Sequence, residues 1–253
     1  MTGRTRPPVL PLFGAAAVLV VAACGENSPS TPAEMSPAVS EPAAGVPGQA
    51  APEAGRPGQD GALPPEPAEG AQGGTDDWRQ VASAADASLL GRLDQAWRMA
   101  RAEAEDAGFA SEVEKLGALV DPNAGLSGRL QPAPGTYRCR TIKLGRRVEG
   151  QGLAYVAYPW FACSVELTAG GDLILSKTTG SQRTQGLLYP DTDRRLVYVG
   201  AQAWGDEAHF PRYGQTRERD QVGAFERIGD QRWRLTIPWP KQEAKLEILE
   251  LTR

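Results

Sequence analysis

Arg232-Trp233-Arg234-Leu235-Thr236-Ile237 decides the fold class of this chain. Trp233, Leu235 and Ile237 alternate with Arg232, Arg234 and Thr236, and a period of two marks a half-buried β-strand, one face in a core and one in water. The same signal recurs on either side. Residues 160–168 place Phe161, Cys163, Val165 and Leu167 on one face, and 136–144, 173–179, 184–189, 196–201, 222–228 and 245–251 read as further strands. Ala169-Gly170-Gly171-Asp172, Pro190-Asp191-Thr192-Asp193 and Gly229-Asp230 supply turn chemistry between them. Eight short strands joined mostly by hairpins predict an antiparallel meander. Closing it into a small lipocalin-like barrel would remove its exposed edges, and a β-sandwich is the alternative.

Ahead of the strands the period changes to that of a helix. Ser83 with Asp86 three residues on resembles a capping box, and Leu89, Leu93, Trp97, Ala100 and Ala104 then recur at helical spacing as far as Gly108. That predicts one amphipathic helix. Ser111 with Glu114 predicts the start of a second, carrying Val113, Leu116 and Leu119 and ended by Asp121-Pro122. Helices this short rarely stand alone in water, so both apolar stripes are expected to pack on the strands. The expected class is therefore α+β, mainly β, with a helical segment at 76–121 and a β-domain at 122–253.

Upstream of residue 76 the composition is of another kind. Arg4 and Arg6 precede an apolar run at 9–23, broken by Pro11 and Gly14 and shorter than the roughly 20 residues of a spanning helix. The run ends in Leu19-Val20-Val21-Ala22-Ala23-Cys24, which resembles a bacterial lipoprotein processing site. The resemblance implies a signal peptide at 1–23, a lipidated Cys24 and a membrane attachment through that lipid, since stable anchoring takes two or more acyl chains. Residue 25 is Gly rather than Asp, which by analogy with enterobacterial lipoproteins suggests the outer membrane. Residues 25–75 carry seven acids, one base and no aromatic residue, so 24–75 reads as a lipidated cysteine followed by a disordered Pro/Ala/Gly-rich linker.

All six Trp and all six Tyr lie at or after Trp78, where 24 acids balance 24 bases. A formally neutral domain lacks the basic footprint of nucleic-acid binding. With Cys24 consumed by lipid, Cys139 and Cys163 remain as a pair in an exported protein and read as a disulfide. The single histidine, His209, makes a zinc site improbable on ligand count, and neither a metal nor another cofactor is expected.

The longest connection between strands is 202–221, and its Trp204, Asp206, Glu207, His209, Tyr213 and Arg217 are candidates for lining a binding mouth. His209 with Asp206 or Glu207 would be the catalytic set of a hydrolase. No Ser or Cys nucleophile stands in a recognisable elbow context, and adjacent carboxylates on a strand point apart, so no catalytic residue is assigned. Thr179-Gly180-Ser181-Gln182-Arg183 holds one glycine, follows a strand and reads as a turn rather than a phosphate cradle.

Several blocks occur in order: Gly117-Ala118-Leu119-Val120-Asp121-Pro122, Gly135-Thr136-Tyr137-Arg138-Cys139-Arg140, Gly180-Ser181-Gln182-Arg183, Leu188-Tyr189-Pro190-Asp191, Gly205-Asp206-Glu207 and Trp233-Arg234-Leu235. From about Trp78 to the C-terminus they resemble an uncharacterised family of exported alphaproteobacterial proteins, catalogued as the 4893 domain of unknown function. That resemblance implies no activity and no catalytic residue. A likeness of plan alone extends to the periplasmic inhibitors of bacterial metalloproteases, which pair an eight-stranded lipocalin-like barrel with one disulfide. The expectation is a lipid-anchored, periplasm-facing envelope protein, a non-catalytic binding module for a protein partner or a small apolar ligand. An inhibitor or accessory factor of an envelope enzyme is the alternative.

Overall fold

The computed structural model describes residues 75–253. The signal peptide at 1–23, Cys24 and all but the last residue of the linker lie outside the described residues. Nine strands follow in chain order: β1 Gly135–Arg146, β2 Tyr155–Ala157, β3 Phe161–Leu167, β4 Leu173–Lys177, β5 Gln182–Pro190, β6 Leu196–Trp204, β7 Asp220–Gly229, β8 Arg232–Pro238 and β9 Ala244–Thr252. From β3 to β9 each pairs antiparallel with the next, and β1 pairs with both β3 and β9. The result is a closed eight-stranded antiparallel barrel with β2 as a ninth, short strand. Closure pairs β1 with β9 from Arg138 opposite Thr252 to Arg146 opposite Ala244.

The strand that the sequence did not announce, β2, shares one edge of β1 with β3. Cys139 faces Phe161 while Ile142 faces Ala157, a slip of one residue across the intervening Tyr158-Pro159-Trp160. Pro159 has no N–H to give to the ladder, so the pairing breaks there and resumes.

Inward-facing positions fill the barrel. Tyr137, Cys139, Cys163, Val165, Leu175, Leu188, Tyr198, Phe225, Trp233, Leu235, Leu249 and Leu251 form one continuous core. Cys139 and Cys163 are joined by the expected disulfide inside it, bridging β1 and β3. Trp233 donates its Nε1–H to the Leu130 carbonyl at 2.7 Å and takes the edge of the Tyr137 ring at 5.9 Å between centroids. The Tyr198 ring is accommodated by two glycines that face each other across β5 and β6, Gly186 and Gly200. A Cβ at Gly200 would stand 2.3 Å from the Tyr198 hydroxyl, and one at Gly186 would stand 2.7 Å from its ring. Each would also stand within 2.6 Å of the facing strand's backbone, so neither position admits a side chain.

Helices cover part of the outer wall: α1 Trp78–Val81, α2 Ala84–Gly91, α3 Leu93–Ala104 and α4 Ala110–Glu114, with a π-turn at Glu105–Phe109 and a 3-10 turn at Gly117–Leu119. Ser83 caps α2 as expected, accepting from the Asp86 N–H. The single helix expected from Ser83 to Gly108 is in fact broken at Arg92, whose φ of −108° and ψ of 22° are not helical. The two pieces serve different walls. Leu90 of α2 packs with Leu187, Val197, Val199 and Val222, whereas Ala96, Trp97, Ala100 and Ala104 of α3 pack on Ile142, Leu144, Leu246 and Ile248. One straight rod cannot lie along both faces of a curved wall. Gly108, at φ 93°, turns the chain where a stop was expected.

The second capping box is not formed. Ser111 lies within α4, whose preceding residue Phe109 makes no side-chain cap bond. The kink at Gly108 starts α4 at Ala110 with Phe109 in the cap position, so Ser111 lies inside the first turn, two residues past the cap.

The opening stretch also departs from expectation. In β8 the face carrying Arg234 and Thr236 is buried as completely as the face carrying Trp233, Leu235 and Ile237. Arg234 is 0% exposed beneath the helical segment. It donates to the carbonyls of Ala118, Leu119, Asp121 and Pro122 and pairs with Glu226 of β7 at 2.8 Å.

Candidate functional site

In an up-and-down barrel every second hairpin opens at the same end, so the β4–β5, β6–β7 and β8–β9 connections surround one mouth. The inward-facing register, apolar through the middle of the barrel, turns charged there. Lys143 continues the face of Tyr137 and Cys139, Lys177 that of Leu173 and Leu175, and Glu247 that of Leu249 and Leu251. All three are buried. Beside them Thr184 of β5 is hydrogen-bonded to the Tyr198 hydroxyl and to Gln221 of β7.

The two lysines are held differently. Lys143 Nζ donates to Glu243 Oε2 and to Gln182 Oε1, each at 2.6 Å, and lies 3.6 Å from Glu247 Oε2. Lys177 Nζ donates to the Gln182 carbonyl at 2.6 Å and sits 4.0 Å from the centroid of the Phe161 ring. Among the described residues no carboxylate is hydrogen-bonded to Lys177. Gln182 bridges the set, because its Nε2 also donates to Gln242 and Glu243 at 3.0 Å.

Charge follows from these contacts. Burial disfavours the Lys177 ammonium and brings it down to about 8; Glu247 pulls the other way, and Lys143 and Arg183 push it further down. Burial also opposes the Lys143 ammonium, but Glu247 and Glu243 outweigh it and hold that group above the usual lysine value. Glu247 is enclosed on every side, and burial holds its carboxyl above the usual carboxylate range against the pull of Lys143 and Lys177. Burial likewise keeps Tyr198 protonated. Lys143, Tyr158, Phe161, Lys177, Ser181, Gln182 and Glu243 line a cavity of about 110 Å³. At roughly 30 Å³ of liquid volume per water molecule, that is room for a few waters or a small organic acid.

The six loop residues that the sequence brought forward do not converge on a single mouth. Trp204 and Glu207 brace the rim: Glu207 accepts from the Trp204 N–H at 2.8 Å and pairs with Arg219, whose guanidinium lies 3.4 Å over the Trp204 ring. The Trp204 N–H and Arg219 hold its carboxyl below the usual range. Asp206 and His209 are exposed. Tyr213 leaves the rim altogether, donating to Asp86 at 2.6 Å and accepting from the Ser83 N–H at 2.8 Å, which ties the loop to the start of α2. Burial and that Asp86 contact push the Tyr213 hydroxyl up to about 12. Arg217, also exposed, borders a surface hollow beside Asp86, Tyr213, Asp220 and Lys241. With Glu207 committed to Arg219 and His209 facing solvent, the loop offers no acid–base pair around a shared reacting point.

A wider hollow, about 550 Å³, is a surface groove between α2 and the β5–β6 turn, lined by Trp78, Leu90, Leu93, Asp94 and Arg195. The nearby Asp191 is already engaged by Trp78 Nε1 at 2.9 Å and by Arg195. The buried cluster is therefore the stronger candidate.

A family model described as a domain of unknown function, DUF4893, matches residues 78–251. The chain belongs to this family. No curated protein and no solved structure matches it. The DUF4893 match runs from α1 into β9, so the covering helices and the barrel fall within one family unit, and so does every member of the charged cluster. Lys143, Lys177, Glu243 and Glu247 carry no motif in the sequence of this DUF4893 domain, and Gln182, in a stretch that reads as a turn, opens β5 instead. Register carried the missing signal for three of them: a charged residue two positions along from a core residue, on a strand that closes a barrel, faces inward.

Proposed function

We propose that this DUF4893 protein is a lipid-anchored envelope protein whose barrel is a binding module, and that the module takes a small organic anion at the Lys143–Lys177 cavity. The location rests on the processing-site resemblance at Cys24 and on the composition of the tract behind it, with the periplasmic face and the outer membrane as the expected address. One observation carries the ligand class: Lys143 and Lys177 are both buried beside one cavity, and among the described residues no carboxylate is hydrogen-bonded to Lys177. An entering carboxylate would accept from the N–H donors that Lys177 does not spend on Gln182.

The same packing disfavours a small apolar ligand. Positions that would line its chamber hold Tyr137, Phe225, Trp233 and the disulfide. A second reading, an inhibitor or accessory factor of an envelope enzyme, is favoured by exposed Trp160, over which Arg138 and Arg140 stack at 4.8 and 4.9 Å. Such a basic aromatic patch suits a protein surface.

Calorimetric titration of the full chain with formate, acetate, glyoxylate and pyruvate tests the first reading. A 1:1 isotherm weakened about tenfold or more by Lys177→Gln is expected, the loss of one charged hydrogen bond. Absence of heat and of any melting shift with every acid at millimolar concentration would sink it.

A further inference from the structure

We infer that Lys177 captures its ligand covalently, as the reversible imine of a small aldehyde or 2-oxo acid. The inference rests on the cavity reading above and extends it from an anion site to an amine site. It starts from the difference between two lysines that border one cavity of about 110 Å³. Lys143 is tied into ion pairs with Glu243 and Glu247. Lys177 has one carbonyl and one aromatic face as its immediate partners. A lysine that is desolvated and next to another cation is an amine poised for nucleophilic attack on carbonyl carbon.

The charged groups that act on Lys177 are Glu247 on β9, Lys143 on β1 and Arg183 on β5, and Tyr158 lines the same cavity, as does Glu243 in the β8–β9 turn. With Lys177 brought down to about 8, about a tenth of it is the free amine at pH 7. An ordinary lysine holds well under a thousandth as free amine at that pH.

The chemistry balances with what the cavity holds. The Lys177 nitrogen lone pair forms a C–N bond to the carbonyl carbon as the C=O π pair moves to oxygen, and an amine proton passes to that oxygen to give the carbinolamine. The hydroxyl then leaves as water, taking one proton from solvent in the cavity. The product is a protonated imine, so the positive charge on the Lys177 nitrogen is restored. With a 2-oxo acid, the ligand carboxylate faces Lys143. No oxidant or reductant is consumed.

The test incubates the full chain in detergent with glyoxylate and sodium cyanoborohydride, which reduces the imine in place, and reads intact mass followed by peptide mapping. The expected result is a single adduct on Lys177 at pH 7, formed about tenfold faster than on exposed Lys115, with a rate that climbs through pH 8. Lys177→Arg keeps the charge and should lose the adduct while retaining the wild-type circular dichroism spectrum. Adduct spread evenly over Lys115, Lys241 and Lys245, or a rate on Lys177 that keeps pace with Lys115 across the pH range, would overturn the inference. The two readings separate cleanly. Calorimetric binding of glyoxylate without an adduct defeats the imine and leaves the anion site standing, whereas neither binding nor adduct defeats both.

Discussion

Arg234 and Glu226 form a 2.8 Å ion pair on the outer wall of the barrel, and the guanidinium of that pair has no contact with water. The same guanidinium donates to carbonyls of Ala118, Leu119, Asp121 and Pro122 and lies 5.1 Å from the Trp97 ring centroid. A planar fork with five donors can hold a strand, a carboxylate and a turn at once, which an ammonium cannot. Arg234→Ala leaves Glu226 and those carbonyls without their donor, and breaking a buried pair from one side costs about 3–5 kcal/mol. Urea denaturation should show a loss of that size. Arg234→Lys should recover less than half of it, and full recovery by lysine would mean that charge alone, rather than the fork, joins the helices to the barrel.

The eight barrel strands were readable from alternation because an inward-facing residue in a barrel is apolar at most positions and its neighbours are not. The disulfide was legible in the cysteine count, given the expectation of export. What escaped reading shares one physical origin, the second layer. Helices over the barrel bury Arg234 on a face that looks solvated in one dimension, and the curvature of the wall splits a continuous helical stripe at Arg92. The cluster of Lys143, Lys177 and Glu247 is not legible in one dimension because a charged residue on a strand ordinarily faces solvent. Only closure of the sheet turns those positions inward. The 202–221 loop drew attention for its aromatics, yet Trp204 and Tyr213 spend theirs on bracing the rim and α2.

The disulfide should be a major share of the stability. Cys139 and Cys163 are fully buried, or nearly so, and close a loop with a sequence separation of 24. The chain-entropy account assigns such a loop roughly 3 kcal/mol. Paired Cys139→Ala and Cys163→Ala substitution should lower the denaturation free energy by about that amount, and reductant should lower the melting temperature of the parent but not of the variant. Insensitivity of the parent to reductant under partly denaturing conditions would argue that the bridge adds little.

Lys177 gives the stability a distinctive pH dependence. Its folded value of about 8 lies below the ordinary lysine value of 10.5, so between those limits the unfolded chain binds a proton that the folded chain does not. The sign is fixed by that difference: stability contributed by this group rises as pH climbs from about 8 toward 10. Lys143 works in the opposite sense, since its raised ammonium gives stability that persists through this window and is lost above it. Tyr189, pushed up to about 12 by burial, costs stability only as unfolded tyrosines begin to ionise near pH 10. Lys177→Met removes the buried ammonium and should be more stable than the parent at pH 7 by on the order of 2 kcal/mol, with the gap closing toward pH 10. Denaturation curves at pH 7, 8.5 and 9.5 measure it. A gap that stays constant with pH would place the Lys177 ammonium in a wetter setting than its contacts with Gln182 and Phe161 indicate.

The anchoring proposal stands or falls on one sulfur. If Cys24 carries lipid, [³H]palmitate fed to producing cells should label the full-length protein, and Cys24→Ser should abolish both label and membrane association. The same substitution should leave the barrel intact, because the Cys139–Cys163 pair takes no part in lipidation and closes within the described fold. Melting of the Cys24→Ser protein should therefore match that of the parent. A labelled Cys24→Ser protein, or an unlabelled parent that still sediments with membranes, would remove lipid as the tether and with it the main support for an outer-membrane address. Loss of the label together with loss of the fold would mean instead that the serine variant never reaches the oxidising compartment. Alkylation of Cys139 and Cys163 reads that outcome directly, since thiols kept reduced by failed export react and a formed disulfide does not.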